Sequence, residues 1–385
     1  MTDVVIAGIG QTPVGEHWEL SLRELASIAI KAALHDAGGL KPQAMFIGNM
    51  LAPQLSRQAH LGPLLVTHLG MEGIEAYTLE SAGASGGSAL RNGYQAVASG
   101  LLDVVVVVGI EKFTDMVGSG VEMAAATSGD SDWESIQGLT PLGQAALLMQ
   151  RYLYETAAPR QALGGFPLIA HANAVANPNA MFPKAINAEQ YARAGIVSDP
   201  LNMFDVAPYA DGAAAVILTR PELLPADFGQ PLVRIAGSSS ATDTLALHDR
   251  GDPLYFQAAR LSVEQACMKA RIQPMQVDFF ELHDAYSIFA ALSLEAAGFA
   301  ERGQAWKLVE SGEIKPHGCM PISTMGGLKA RGNPGGATGV YQAVEAVLQL
   351  RGQAGQNQIP GARRGMIQCM GGPASVVVTH ILEVL

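Results

Sequence analysis

Residues 75–109 read EAYTLESAGASGGSALRNGYQAVASGLLDVVVVVG, and this stretch decides the fold. Glu75–Glu80 is interpreted as a strand, and the small residues Ser81–Gly87 form a turn into a helix that runs to about Ser99. Val104–Gly109 is entirely apolar, which is typical of a strand buried on both faces of a parallel sheet. Strands that alternate with helices at this spacing indicate an α/β fold.

The second half of the chain repeats this order of elements. Its predicted elements are Val233–Gly237, Phe256–Ala270, Val277–Leu282, Tyr286–Ala297, Gly339–Gln349, Gly365–Met370 and Ser375–Leu382. The other strands predicted in the first half are Val4–Ile9, Ala44–Gly48 and Ala213–Leu218. We therefore expect two similar halves, residues 1–230 and 231–385. The less regular stretch from about residue 112 to 200 is interpreted as an insertion in the first half, lying over a site.

Composition narrows the possible functions. The chain has 385 residues, of which only 15% are charged, and a formal net charge of −11, which argues against a nucleic-acid or anionic membrane partner. The longest apolar run, Leu101–Ile110, is too short to span a bilayer, and the first residues carry no basic targeting segment. A cytoplasmic location is therefore expected. Three cysteines without a C-x-x-C spacing predict neither a disulfide framework nor a metal site.

Two candidate site segments follow predicted strands. The turn at Glu80–Ser88 opens a helix, whose free N–H groups favour an anionic ligand group. Such a turn would suit an activated thiol, but it contains no cysteine. Glu281–Tyr286 ends an apolar strand, where a neutral His283 could donate a hydrogen bond to a developing oxyanion. The alternative is a histidine at a helix start, with Asp284 as the capping residue.

Two further segments are rich in glycine. Met325–Gly339 holds six glycines but lacks the spacing of a P-loop or a dinucleotide fingerprint. Its Lys329 and Arg331 suit an anionic ligand tail, and the alternative is a long surface loop. Cys369 ends a strand at a Gly-Gly turn, where it is either a reactive thiol or a small buried apolar residue.

In their joint order these segments resemble the thiolase superfamily, specifically its branch of sterol-carrier-protein-like and archaeal thiolases. The resemblance rests on the opening Val-Ile-Ala-Gly-Ile-Gly-Gln-Thr-Pro, Ala84-Ser-Gly-Gly, Gly109-Ile-Glu-Lys, Asp205-Val-Ala-Pro-Tyr-Ala-Asp-Gly-Ala-Ala-Ala, His283-Asp-Ala-Tyr and Gly336-Ala-Thr-Gly. It implies an α/β thiolase fold, with two halves sharing a five-layer α-β-α-β-α core and an inserted loop domain. It also implies dimerisation and coenzyme A thioester substrates, with no cofactor beyond the coenzyme A of the substrate.

The chain departs from the family at two positions. Thiolases carry a nucleophilic cysteine just before Ala-Ser-Gly, where this chain has Gly83. The family's Gly-His-Pro, whose histidine activates that thiol, reads Gly332-Asn333-Pro334 here. Because nucleophile and base are absent together, an acyl-enzyme step is not expected.

The remaining groups resemble those of the lipid-transfer-protein-like side-chain aldolases of steroid and bile-acid degradation, thiolase relatives that lack the nucleophile. The resemblance implies a retro-aldolase that cleaves a bulky β-hydroxyacyl-CoA, such as a steroid side-chain thioester, into a ketone and propionyl-CoA or acetyl-CoA. Tyr341 or Tyr255 would take the β-hydroxyl proton, His283 and Asn333 would hold the enolate, and Cys369 would be a proton donor. The predicted substrate-binding residues are Gly83, Ser85, Tyr286, Lys329, Arg331 and Gly336.

Two alternatives stay open at this point. One is an acyl-CoA acyltransferase that uses another nucleophile, such as Ser85, and the other is a non-catalytic acyl-CoA-binding scaffold. The resemblance also implies a homodimer that assembles with a small DUF35-type protein, an OB fold with a zinc ribbon.

Overall fold

The computed structural model describes residues 3–385. Its strands are β1 (Val5–Gln11), β2 (Ala44–Gly48), β3 (Glu75–Leu79), β4 (Val104–Glu111), β5 (Ile196–Ser198), β6 (Leu201–Asn202), β7 (Gly212–Thr219), β8 (Val233–Thr242), β9 (Phe279–Glu281), β10 (Arg364–Gly371) and β11 (Val376–Val384). Its α-helices are α1 (Leu22–Asp36), α2 (Ala52–Leu55), α3 (Leu61–Leu69), α4 (Ser85–Ala98), α5 (Ser119–Ala126), α6 (Pro141–Thr156), α7 (Gly165–Ala174), α8 (Ala188–Arg193), α9 (Gln257–Ala270), α10 (Ser287–Ala296), α11 (Ala305–Ser311) and α12 (Thr338–Leu350).

Nine strands form one mixed sheet in the order β3-β2-β4-β7-β1-β8-β11-β10-β9. All nine strands predicted from the sequence lie in it. The first half contributes five neighbouring strands and the second half four, and β1 joins them because Val5 pairs with Thr219 of β7 and also with Arg234 of β8. The parallel pairing predicted for β4 is confirmed only towards β2, since β4 runs antiparallel to β7.

The helices complete a thiolase-type five-layer core. The outer helices are α1, which packs on β1 and β7, and α9, which packs on β8 and β11. Between the two groups of strands lie α4 and α12, which contact each other as well as strands of both halves. Glycine permits this close approach, since a Cβ on Gly86 of α4 would lie 2.8 Å from the carbonyl oxygen of Gly336. The two central helices bring the turns at their N-termini together.

Helices α5 to α8 and the β5–β6 hairpin lie in and just beyond the stretch predicted as an insertion. Helix α10 is buried along its length, because α6 and α7 of this stretch, together with α9 and α11, pack against it. The sequence pattern gave no indication of α2, α3, α5, α7 or α11. No helix within residues 3–385 is long and apolar enough to cross a membrane.

Candidate active site

A narrow cavity of about 60 Å³ lies where the N-terminal ends of α4 and α10 approach the glycine-rich segment before α12. We call it the site cavity. Both halves and the insertion contribute to its lining, which includes Gly83, Gln144, Tyr209, His283, Tyr286 and Asn333. The fold therefore brings all four sequence-predicted segments to one place, the fourth through Met370 and Gly372, which follow Cys369.

Gly83 lies in a single 3₁₀ turn, Ala82–Ala84, that leads directly into α4. A Cβ built on Gly83 would lie only 2.7 Å from the carbonyl oxygen of Met370, a backbone atom of β10. A side chain at this position would thus require the turn or β10 to move. The nearby Ser85 is completely buried, and its hydroxyl donates to the carbonyl oxygen of Ala82 at 2.6 Å. It does not line the site cavity, so its predicted contact with substrate is corrected.

His283 follows β9 and is buried beside Gly83. Desolvation and, to a smaller extent, the positive charge of Arg331 together lower the pKa of His283 to about 3. The imidazole is therefore neutral at neutral pH, with one ring nitrogen available as a donor. Its Nδ1 atom has no hydrogen-bond partner among residues 3–385. Asp284 does not cap α10, because its carboxylate accepts a hydrogen bond from the backbone N–H of Leu328 at 2.7 Å instead.

Asn333 is held by its backbone and by one side-chain oxygen. Its N–H donates to the carbonyl oxygen of Pro208 at 2.9 Å. Its Oδ1 accepts from the N–H of Gly335 at 3.1 Å and from the hydroxyl of Thr338 at 3.4 Å. The amide nitrogen makes no hydrogen bond within the part of the chain that the structure describes. It is thus a fixed donor available to the site cavity.

Two tyrosines line the site cavity together. The hydroxyls of Tyr209 and Tyr286 lie near each other, and burial raises the pKa of both above the usual value. The neighbouring Tyr286 hydroxyl partly offsets this rise in the pKa of Tyr209, because a donor near the phenolate favours the charged form. The Tyr209 ring stacks on Phe113 with centroids 4.6 Å apart, and its backbone bridges to Asn333. Sequence reasoning assigned Tyr286 to the pocket wall and missed Tyr209, which lies between the predicted insertion and β7.

The two tyrosines predicted as bases lie elsewhere, and both assignments are corrected. Tyr341 is fully buried in α12, where its hydroxyl donates to the carbonyl oxygen of Thr12 at 2.9 Å. Burial raises its pKa, and its ring lies under the guanidinium of Arg331. Tyr255 is 39% exposed and contacts Arg260 at the start of α9. Neither residue lines the site cavity.

Cys369 also lies behind the site cavity rather than in it. Its sulfur packs among Ala84 and Val378 and is 3.8 Å from the carbonyl oxygen of Ala84. Burial raises the pKa of its thiol to about 12, so the group stays protonated. Cys369 is thus the small buried residue of the second interpretation. The assignment as proton donor is corrected, because the thiol does not line the site cavity.

The basic residues of the glycine-rich segment do not form a rim for an anionic tail. Arg331 is 1% exposed and pairs with the equally buried Glu345 at 2.9 Å. Lys329 is 2% exposed and donates to the carbonyl oxygen of Asp205 at 2.7 Å. Arg331 is thus paired inside the protein, and Lys329 does not line the site cavity. The residues Gly327–Arg331 form a π-helical turn rather than a surface loop.

A buried carboxylate that the sequence reasoning did not single out fixes this segment. Glu111, at the end of β4, accepts hydrogen bonds from the N–H groups of Met50 at 2.8 Å, Leu51 at 3.1 Å and Gly336 at 3.1 Å. Burial raises its pKa to about 7 against the opposing effect of these bonds. Gly336 thereby takes part in this support and does not line the site cavity. The sequence feature that could have indicated this role is the position of Glu111, an acidic residue at the end of an otherwise apolar strand.

The fold and the site cavity define a two-half α/β enzyme of the thiolase type. The thiolase N-terminal domain matches residues 4–222 and the thiolase C-terminal domain-like family matches residues 239–384. The chain belongs to the thiolase family. Residues 3–385 contain no cluster of three or more His, Cys, Asp or Glu side chains that could hold a metal.

Relatives extend over the whole chain. An acetyl-CoA acetyltransferase of Methanothermobacter thermautotrophicus is 40% identical over all of both chains. Sterol carrier protein 2 of Gallus gallus is 29% identical over 98% of this chain and 71% of its own length. Among solved structures, an Ltp2-ChsH2(DUF35) aldolase aligns with a TM-score of 0.85 at 22% identity, covering 99% of this chain and 98% of that one.

Proposed function

We propose that the protein is a retro-aldolase that cleaves a β-hydroxyacyl-CoA without forming an acyl-enzyme. The observation that carries the proposal is the content of the site cavity. A neutral imidazole, an amide N–H and a pair of tyrosine hydroxyls surround a glycine that stands where the family has its nucleophile. The similarity to the fold of an aldolase supports this reaction, and coenzyme A enters only as part of the substrate.

The residues of the site cavity divide the reaction between them. The Tyr209 oxygen, as the phenolate supported by Tyr286, takes the proton of the β-hydroxyl group. The Cα–Cβ bond then breaks, its electron pair moves onto the thioester as an enolate, and the β-carbon leaves as a ketone. His283 and Asn333 donate hydrogen bonds to the enolate oxygen. The proton held by Tyr209 is returned to Cα, which yields the shortened acyl-CoA and restores the phenolate.

The size of the site cavity bears on the substrate. A volume of about 60 Å³ leaves room for a small group rather than for a bulky one. The acetyl or propionyl unit that becomes the enolate fits this space. The ketone part, which we propose to be bulky and of steroid side-chain type, must then extend towards the open side of the cavity.

Acyl transfer is the second candidate, because a relative identical at 40% of positions is an acetyl-CoA acetyltransferase. That chemistry needs a nucleophile in the site cavity. Ser128 is the serine that lines it, and its hydroxyl donates to the carbonyl oxygen of Ala125 at 2.7 Å. This competing bond and the glycine at position 83 favour the aldolase over the acyltransferase.

The assembly state is also part of the proposal. Strand β3 is an edge strand of the sheet, and its side chains are largely exposed, with Tyr77 at 52%. An open edge of this kind favours pairing with a second copy of the chain. We further propose a DUF35-type partner, as in the aldolase with the similar fold, and a cytoplasmic location.

The test is to incubate the protein, alone and with a DUF35-type partner, with a β-hydroxyacyl-CoA that carries a bulky tertiary alcohol. We expect ketone and acyl-CoA in equal amounts, and an unchanged intact mass of the protein. Tyr209→Phe should slow cleavage by about 10²–10⁴-fold, whereas Tyr154→Phe, at a position 81% exposed, should leave the rate unchanged. A stable acyl adduct would favour the acyltransferase, and binding without turnover in both samples would favour the scaffold.

A further inference from the structure

A second, larger cavity lies on the other side of the segment that carries Tyr209. Its volume is about 480 Å³, and we call it the insertion cavity. Val206 and Pro208 line it, whereas Tyr209 lines the site cavity, so this short segment separates the two spaces. The volume lies within the range of about 300–1,000 Å³ that is usual for small-molecule sites.

The wall of the insertion cavity is mainly apolar. Phe182 and Phe204 contribute aromatic rings, and Ile186 and Met203 contribute aliphatic surface. Phe182 and Met203 are 41% and 56% exposed, so the apolar wall opens to solvent. The buried ring of His171 packs edge-on against Phe204 at 5.6 Å, which extends this wall inwards. Such a surface binds an apolar body.

One buried cation also lines the insertion cavity. Lys329 belongs to the π-helical turn Gly327–Arg331, a rare geometry that often marks functional sites. Its ammonium group donates to one carbonyl oxygen, that of Asp205, and to no other atom within residues 3–385. Two of its three N–H groups therefore lack a protein acceptor.

The nearby carboxylates do not supply those acceptors. Asp284 receives hydrogen bonds from Leu328 and Ser323, and Asp205 receives them from the Tyr191 hydroxyl and the Asn202 N–H. Both lie close enough to attract Lys329, but neither carboxylate is hydrogen-bonded to it. Burying an ammonium group with unfilled donors is costly, and a ligand anion would offset that cost.

We infer that the insertion cavity binds an apolar molecule with a terminal carboxylate, whose oxygen atoms accept hydrogen bonds from Lys329. The apolar body would lie against Phe182, Phe204 and Met203. At the exposed mouth, Lys184 adds a second positive charge on the path of an entering anion. This site is separate from the proposed reaction, because the segment from Val206 to Tyr209 divides the two cavities.

Isothermal titration calorimetry with decanoate tests the inference. Methyl decanoate, which lacks the negative charge, is the control ligand. We expect saturable binding of one decanoate per chain with a Kd below about 1 mM, and binding of the ester weaker by at least about tenfold. Lys329→Met should weaken decanoate binding by a similar factor and should leave the ester unaffected. No catalytic readout is involved, so failure of the proposed aldolase would not alter this outcome.

A second variant, which fills the mouth of the insertion cavity, tests the inference independently in case Lys329→Met does not fold. Ala185 is an exposed lining residue, and Ala185→Trp should abolish binding by filling the cavity mouth. Ala192→Trp is the matched control, because Ala192 is exposed on α8 outside the lining and should bind decanoate like the wild type. Equal binding of acid and ester, or unchanged binding by Ala185→Trp, would overturn the inference, and so would the absence of saturable binding.

Discussion

Gly83 and the imidazole of His283 face each other in the site cavity, since a Cβ built on Gly83 would lie 3.2 Å from Cε1 and 3.6 Å from Nε2 of that histidine. The same Cβ would lie 2.7 Å from the carbonyl oxygen of Met370. A side chain at the position where the family has its nucleophile would therefore point towards His283, the proposed oxyanion donor. A side chain there would force the backbone to shift, because the nearest atom belongs to the backbone of β10.

The first prediction concerns this position. Gly83→Ala should lower the free energy of unfolding by about 1–3 kcal/mol, because overpacking must displace the turn or β10. Urea denaturation measures this, and Gly195→Ala is the control, since a Cβ there meets nothing within 4 Å. Gly83→Cys should be destabilised likewise and should form no acyl adduct, because Asn333 cannot activate a thiol. A fully stable Gly83→Ala protein would show that the turn yields easily.

The second prediction separates the tyrosines. Tyr209→Phe and Tyr286→Phe should each lower kcat by about 10²–10⁴-fold, the usual contribution of acid–base catalysis. Tyr341→Phe should leave kcat within about twofold and should cost about 0.5–1.5 kcal/mol of stability, because it loses a hydrogen bond to Thr12. Steady-state kinetics and urea denaturation of the three variants provide the comparison. A large kcat loss in Tyr341→Phe alone would restore the sequence-based assignment.

The contrast between these tyrosines shows how far the sequence could lead. Periodicity and the turn residues around each run located all nine strands of the central sheet, because most of these strands are buried and therefore apolar. Motif order located Gly83, His283 and Asn333, because they sit in short turns between predictable elements. It could not choose among nine tyrosines. The orientation of Tyr341 depends on which face of α12 meets β1 and β7. The orientation of Tyr209 depends on the backbone bridge between the segment before β7 and Asn333.

Long-range contacts also explain why Lys329 and Arg331 do not form the expected basic rim of the site cavity. A lysine and an arginine in a glycine-rich segment are typical of an anion-binding loop. Their partners, the carboxylate of Glu345 and the carbonyl oxygen of Asp205, lie 14 and 124 residues away along the chain. Local sequence carries no information about such pairing, so only the folded chain shows that Arg331 is paired internally and that Lys329 lines the insertion cavity instead of the site cavity.

The third prediction concerns pH. Because the pKa of His283 falls from about 6.5 when unfolded to about 3 when folded, the unfolded chain binds more protons between these values. The histidine therefore costs no stability above pH 6.5 and an increasing amount as the pH falls below it. The difference in unfolding free energy between His283→Gln and the wild type should shift in favour of the variant from pH 7.5 to 5.0. Urea denaturation at both values measures it, and a constant difference would mean that His283 is not buried neutral.

Catalysis should follow pH in a different way. Burial raises the pKa of Tyr209, so at neutral pH only a small part of the protein carries the phenolate that the cleavage needs. We expect kcat to rise with pH from 6 to 9 without an inflection from His283, whose pKa lies far below this range. A pH–rate profile of the wild type checks this expectation. A bell-shaped profile with a limb near pH 6.5 would instead assign the proton transfer to a histidine.

The last prediction concerns the buried pair Arg331–Glu345, which is 1% exposed on both sides. Arg331→Met should destabilise the protein by about 3–5 kcal/mol, because it leaves Glu345 buried without its partner. Burial already raises the pKa of Glu345 against the effect of Arg331, so the single variant should take up a proton there. The double variant Arg331→Met, Glu345→Met should regain most of the lost stability, since apolar side chains of similar volume replace the ion pair. Urea denaturation of both variants decides the matter: a double variant as unstable as the single one would mean that Arg331 is needed for a contact other than this ion pair, such as the one with the ring of Tyr341.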